Sequence, residues 1–252
     1  MNFKLQCLFI LLLSIYSCKQ THLNLTKTEG KQISISDSLS TDPNIEAFIK
    51  PYRTHILKDL DSVLSYAVNT YSKSDGDFNT AIGNFMADAV YEELNPVFKS
   101  MTGDNIDMVL LNHGGIRSII SKGNITTRTA FELMPFENSM VVVKMKGFQI
   151  KSLVEFLSKA KKAHPISKLK LEIDKDFNVL KASINNKAIE DHETYYVATN
   201  DFLYNGGDNM VFFQPNDSLF VLDYKVRNIL IDHLKKVDTI NPIIDDRFIQ
   251  IN

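Results

Sequence analysis

Asn200-Asp201-Phe202-Leu203-Tyr204-Asn205-Gly206-Gly207-Asp208 brings an aromatic ring, a glycine pair and a carboxylate into one short stretch. Glycine accepts positive φ where other residues resist it, so Gly206-Gly207 allow a tight turn that holds the Asp208 carboxylate close to the Phe202 ring. A flat aromatic face beside a hydrogen-bond acceptor suits a nucleoside, with the base stacked and the ribose hydroxyls bound. Taken alone, the stretch reads first as a hairpin turn with a core phenylalanine. A second group is Asn112-His113-Gly114-Gly115-Ile116-Arg117. Arginine is the side chain best shaped to grip a phosphate through two parallel hydrogen bonds. A third, Pro135-Phe136-Glu137-Asn138, adds another aromatic with a short amide two residues on.

Each group needs an element to place it. Tyr195 to Thr199 is rich in aromatic and β-branched residues, which predicts a strand leading into Asn200. Asp107 to Leu111 is short and almost wholly apolar, so it reads as a buried strand running into the Gly-Gly turn. Ser139 to Met145 is a third strand, leaving the Phe136 segment. Asp42 before Pro43 marks a helix start, because proline at the first helical position loses nothing. Ile45, Phe48, Ile49, Tyr52, Ile56, Leu60, Val63 and Leu64 then recur at helical spacing, with Pro51 expected to kink or split the helix. A polar loop from Asn69 to Asn79 precedes helices over Thr80–Phe98, Thr127–Leu133 and Phe148–Lys162. Strands follow at Leu169–Ile173 and Val179–Ile184, joined by a turn at Asp174-Lys175-Asp176. A strand over Leu219–Leu222, a helix over Tyr224–Lys236 and an irregular tail to Asn252 complete the chain. The fold class is α+β: a mixed β-sheet with helices packed on it.

The three polar groups belong to five motifs in order: Gly83-Asn84…Asp88-Ala89, Asn112 to Arg117, Gly123-Asn124-Ile125-Thr126, Pro135 to Asn138, and Phe202 to Asp208. They resemble the GN-x-x-x-D-A, N-x-GGIR, G-x-I-T, PF-x-N and F-x-x-NGGD motifs of the C-terminal, substrate-binding domain of the 5′-nucleotidase family. Those are two-domain, metal-dependent phosphohydrolases of periplasm and cell surface. Each motif alone is weak; five in order over residues 43 to 221 are specific. The resemblance implies that Phe136 and Phe202 sandwich the base, with Asn138 at its edge. It implies that Asp208 holds the ribose hydroxyls and that Asn112 and Arg117 face the phosphate.

The same resemblance shows what these residues lack. Catalysis in the family uses two metal ions held by Asp, His and Asn residues of a separate N-terminal domain, with a His-Asp pair assisting. Two-metal hydrolysis requires that cluster, because it generates hydroxide near neutral pH and neutralises the phosphoryl charge. Its Asp-x-His, Gly-Asn-His-Asp/Glu and Gly-His-x-His sequences do not occur here. His113 occupies a variable position and reads as structural. Relatives carry phosphate-binding arginines and a glutamate in slots near Gly76 and Asn79. This loop has no arginine, and Lys73, its only cation, reads as a solvated loop lysine. Ser167-Lys168 stands where relatives often have Ser-Gly.

The 252 residues, 44% hydrophobic and 23% charged, suit one folded domain with a real core. A net charge of −2 gives no basic footprint, which argues against a nucleic-acid polymer as partner. Six His and two Cys show no zinc-type spacing. Residues 1–17 read as a lipoprotein signal peptide, with Lys4 at its start and Leu5 to Ile15 too short to span a bilayer. Ser14 to Cys18 resembles a bacterial lipobox with Tyr16 in a slot that is usually small, so Cys18 would become the lipidated first residue. The alternative is an ordinary cleaved signal with Cys18 a bystander. Residues 18–42 form a tether with a possible hairpin, Leu23 and Leu25 alternating against Ile33 and Ile35 around Glu29-Gly30-Lys31. Residues 43–252 form the domain. The expectation is a lipid-anchored protein of the bacterial cell envelope that binds the nucleoside end of a 5′-nucleotide. It would hold no cofactor of its own, and a separate metallophosphatase chain with two divalent metal ions would complete the site. The alternatives are a lipoprotein that captures nucleosides or nucleotides for uptake, and a fold-only interaction module.

Overall fold

The computed structural model describes residues 25–251, and the chain divides into two units between Phe48 and Ile49. The signal segment, Cys18 and Leu23 lie outside the described residues.

In the first unit, no strand forms from Leu25 to Ser36. The alternation that predicted a hairpin leaves Leu25, Ile33 and Ile35 exposed. A lone two-stranded ribbon has nothing to bury its apolar face against, so alternation by itself does not hold it. Helix α1, Pro43–Leu60, begins where the Asp42 carboxylate accepts the backbone N–H groups of Asn44 and Ile45. Pro51 lies inside the helix, and none of its residues is buried.

The second unit is built on a five-stranded mixed sheet. Its strands are β2 (Met108–Leu110), β4 (Ser139–Lys146), β5 (Ile166–Ser167), β9 (Thr194–Asn200) and β10 (Ser218–Lys225), in the order β10-β4-β9-β2-β5. Side chains alternate between the faces of a strand, and both faces are covered at the centre of the sheet, so Met108–Leu110 and Met140–Val143 read as unbroken apolar runs. Val109, Met140, Val142 and Ala198 pack on one side with α2 (Ala81–Thr102) and α6 (Val226–Leu234). Met108, Leu110, Val141, Val143 and Val197 pack on the other with α4 (Gly147–Ala160).

Two smaller sheets complete the unit. One joins β1 (Val63–Ala67), β3 (Gly123–Thr126) and β11 (Thr239–Ile240); the other joins β6 (Leu169–Ile173), β7 (Val179–Ile184), β8 (Lys187–Ala188) and β12 (Phe248–Gln250). The tail expected to be irregular therefore supplies two strands. β11 pairs with β1 and β12 with β6, both parallel. Polar side chains of the first motif pin it. Asn84 donates to the Asn79 side chain at 2.8 Å and to the Ile243 carbonyl at 3.0 Å. Arg247 forks between Asp88 and Asp245, with Nη2 at 2.8 Å from a carboxylate oxygen of each.

Register decides where the loops emerge. Met140 pairs antiparallel with Asn200, and Lys225 with Ser139. β2 runs parallel to β9, and Leu110 pairs antiparallel with Ile166. The segments after β2, β9 and β10 and those before β4 and β5 consequently meet at one end of the sheet.

Candidate functional site

Three of these loops carry the residues singled out above. The Asn200 side chain accepts the Leu203 N–H at 2.9 Å and caps a single helical turn, α5 (Asp201–Tyr204). Gly206 follows at φ 88°, in the left-handed region that favours glycine. Gly207 has a different reason to be glycine. A Cβ there would lie 2.5 Å from the Phe202 ring, so the ring rests directly on the Gly207 backbone. Asp208 and Asn209 then take left-handed conformations, which Asp and Asn adopt more readily than most side chains. Phe202 remains 43% exposed, held at the surface by its own turn instead of entering the core.

Phe136 is 41% exposed on the neighbouring loop. The two loops are joined through one carboxylate. Asp201 accepts the Asn138 amide at 2.9 Å and the Ser139 backbone N–H at 3.2 Å. One amide hydrogen of Asn138 is thereby committed, and the other, with Oδ1, is what it can offer a base edge.

The Asn112 turn is tied in from the other side. Its Oδ1 accepts from the Asn200 side chain at 3.1 Å. The Arg117 backbone N–H donates to the Leu133 carbonyl at 2.9 Å, while its exposed guanidinium lies 5.7 Å from the centre of the Phe136 ring. The guanidinium reaches the Gly114 carbonyl only at 3.5 Å, the limit of a hydrogen bond. Lys73 is not a solvated lysine. It is half-buried and its ammonium donates to the Ile116 carbonyl at 2.9 Å, one residue from Arg117. A backbone pair between Tyr71 and Ile120 holds its loop there. Lys168 takes the left-handed conformation at φ 66°, the geometry that glycine adopts without penalty, and its ammonium lies over the Tyr91 ring.

Sequence reasoning missed His164 altogether. It is 4% exposed on the loop before β5, and its Nδ1 accepts the His113 backbone N–H at 3.2 Å. With Phe156, Lys162, Asp208 and Asn209 it lines a cavity of about 350 Å³. No local pattern marks a histidine that becomes important only when the α4–β5 loop folds against the Asn112 turn. Burial pushes His164 down to about 4; the nearby Asp208 charge opposes this, while His113 and Lys162 add to it. An unfolded histidine titrates near 6.5, so between about pH 6.5 and 4 the unfolded chain binds a proton that the folded chain refuses. The contribution is fully present above 6.5 and lost as pH falls towards 4. Chemical denaturation across this window should show stability falling on acidification by up to roughly 3 kcal/mol from this group. His164→Gln should flatten that part of the profile, and an unchanged slope would show that His164 does not titrate there.

Among the described residues, no three or more His, Cys, Asp or Glu side chains are placed to hold a metal ion. Residues 61–215 match the family model described as 5′-nucleotidase, C-terminal domain. A trifunctional nucleotide phosphoesterase protein of Bacillus subtilis is 29% identical over 195 residues, covering 68% of this chain and 12% of its own length. The 5′-nucleotidase of Bos taurus is 28% identical over 139 residues, 52% of this chain and 24% of its own. Among solved structures, a 5′-nucleotidase precursor from Thermus thermophilus superposes with a TM-score of 0.69 at 21% identity, covering 82% of this chain and 43% of that one. The NAD nucleotidase of Haemophilus influenzae superposes at 0.63 and 17% identity, covering 84% and 42%. At these identities the superpositions establish the fold. The chain spans less than half the length of each of these four relatives.

Proposed function

Because the chain belongs to the 5′-nucleotidase C-terminal domain family, we propose that it is the nucleotide- or nucleoside-binding half of a 5′-nucleotidase-type phosphohydrolase. The observation that supports this most is the pair of half-exposed rings, Phe136 and Phe202, on loops joined through Asn138 and Asp201 at one end of the sheet. Neither ring is needed to fill the core. In this reading they stack on the two faces of a base, with Asn138 at its edge. Asp208, carried by the turn on which Phe202 rests, accepts the ribose hydroxyls. Asn112 and Arg117 face the phosphate, and Lys73 adds positive charge beside them.

The chemical step belongs to residues outside these 252. Two divalent metal ions, held by a metallophosphatase chain that completes the site, would supply hydroxide and neutralise the phosphoryl charge. This chain's own part is to bind the nucleoside and direct the phosphate outward. Lipidation at Cys18 would tether it to a membrane of the bacterial envelope.

Two measurements test the reading. Purified chain should show no phosphatase activity above background at neutral pH with added Mn²⁺, Zn²⁺ or Co²⁺; turnover that co-elutes with the polypeptide through repurification would refute the division of labour. Titration calorimetry with adenosine, AMP and ADP should show binding without metal, and no heat with any of them would refute the site.

A further inference from the structure

Arg227 falls within the helix expected over Tyr224–Lys236, where its sequence context gives it no role. In the fold it is 5% exposed at the start of α6, directly after β10 delivers Lys225 opposite Ser139. Its guanidinium points into the turn that carries Phe136. Nη1 donates to the Met134 and Phe136 carbonyls, each at 3.4 Å, and Nη2 donates to the Glu137 carboxylate. The guanidinium carbon lies over the Phe131 ring, 4.1 Å from its centre. Lys225 reaches Glu137 as well, and the Val226 N–H donates to the Asn138 carbonyl at 3.1 Å. Arg227 and Lys225 together hold the Glu137 carboxyl down at about 2. The Arg227 Nε is buried with no hydrogen-bond partner among the described residues.

We propose that Arg227 is the positioning residue for the Phe136 ring: its planar fork binds the main chain of the Met134–Glu137 turn from beneath and fixes one stacking wall before any ligand arrives. The inference rests on the base-stacking reading above and extends it to a residue that touches no ligand. A loop tip holding an exposed aromatic is ordinarily free to fold its ring down. Holding the carbonyls on either side of Pro135 removes that freedom from the unbound protein, so the ligand does not have to supply the ordering. Lysine keeps the charge but cannot bridge two carbonyls and a carboxylate with one planar group.

The test is a double-mutant cycle in adenosine affinity, read by titration calorimetry on folded full chain, with amide exchange of the ligand-free protein beside it. Arg227→Lys should weaken adenosine about tenfold when Phe136 is present and less than about twofold in a Phe136→Ala background. In the ligand-free protein, the Ser139 and Val226 amides should exchange faster in Arg227→Lys while the central strands keep their protection. Equal losses in both backgrounds overturn the inference, as do unchanged exchange rates at those two amides. Should Arg227→Lys fail to fold, Glu137→Gln cuts the exposed leg of the same clamp and enters the cycle in its place, with the same outcomes deciding. If the wild-type chain binds no nucleoside, the stacking reading falls, and exchange at Ser139 and Val226 still decides whether Arg227 holds the turn.

Discussion

Phe202→Ala is expected to weaken adenosine and AMP alike, by roughly 5- to 150-fold, the equivalent of the 1–3 kcal/mol that one stacked base contributes. The loss should be equal because in the proposed site the ring meets the base, which both ligands share. A second variant separates the ring's presence from its placement. A Cβ at Gly207 would lie 2.5 Å from the Phe202 ring, closer than any real contact, so Gly207→Ala must push the ring away. Gly207→Ala should thus reproduce much of the Phe202→Ala loss although the ring is still there. Affinities unchanged in both variants would show that Phe202 does not face the ligand.

Arg117→Ala should divide the two ligands. A charge-assisted contact is worth roughly 1.5–3 kcal/mol, so AMP affinity should fall by about 10- to 150-fold while adenosine moves less than about twofold. The competing role for Arg117 is to pin the Gly-Gly turn. Its one contact with that turn, to the Gly114 carbonyl, is at 3.5 Å, and the turn is already held by the Arg117 backbone N–H on Leu133. Removing the side chain should leave melting behaviour nearly intact. Lys73, bonded to the Ile116 carbonyl, sets the floor to which AMP affinity drops. Equal losses for AMP and adenosine would mean that Arg117 is structural.

Much of this was legible in the sequence because the fold is locally consistent. Thr127–Leu133, Leu169–Ile173 and Val179–Ile184 form as their patterns predict, each bounded by residues that end an element. Three of the five motifs, those around Asn112, Phe136 and Phe202, were legible for another reason: they lie on loops that meet at one end of one sheet. What could not be seen depends on distant partners. The apolar residues of the tail after Lys236 come in short pieces broken by Pro242 and by Asp245-Asp246-Arg247, each too short to announce a strand. It becomes one because β1 and β6 offer open edges, and because Asn84 and Asp88 wait for its polar groups. Leu25, Ile33 and Ile35 show the converse, a clear alternation with no sheet to join. His164, Lys73 and Arg227 matter through main-chain atoms tens of residues away, which no local pattern encodes.

The tail's two parallel strands also bear on when the fold can close. β1 pairs across some 170 positions with β11, Tyr66 lying opposite Thr239, and β6 waits for Phe248. Such pairings carry a high loop-closure cost and form late. A chain made from its N-terminus would present the motif-bearing loops long before their scaffold could be sealed. Until the residues around Arg247 emerge, Asp88 has no counter-charge and the edges of β1 and β6 stay open. The stretch from Thr239 to Gln250 thus acts as the latch of a domain whose motif-bearing loops are all synthesised earlier.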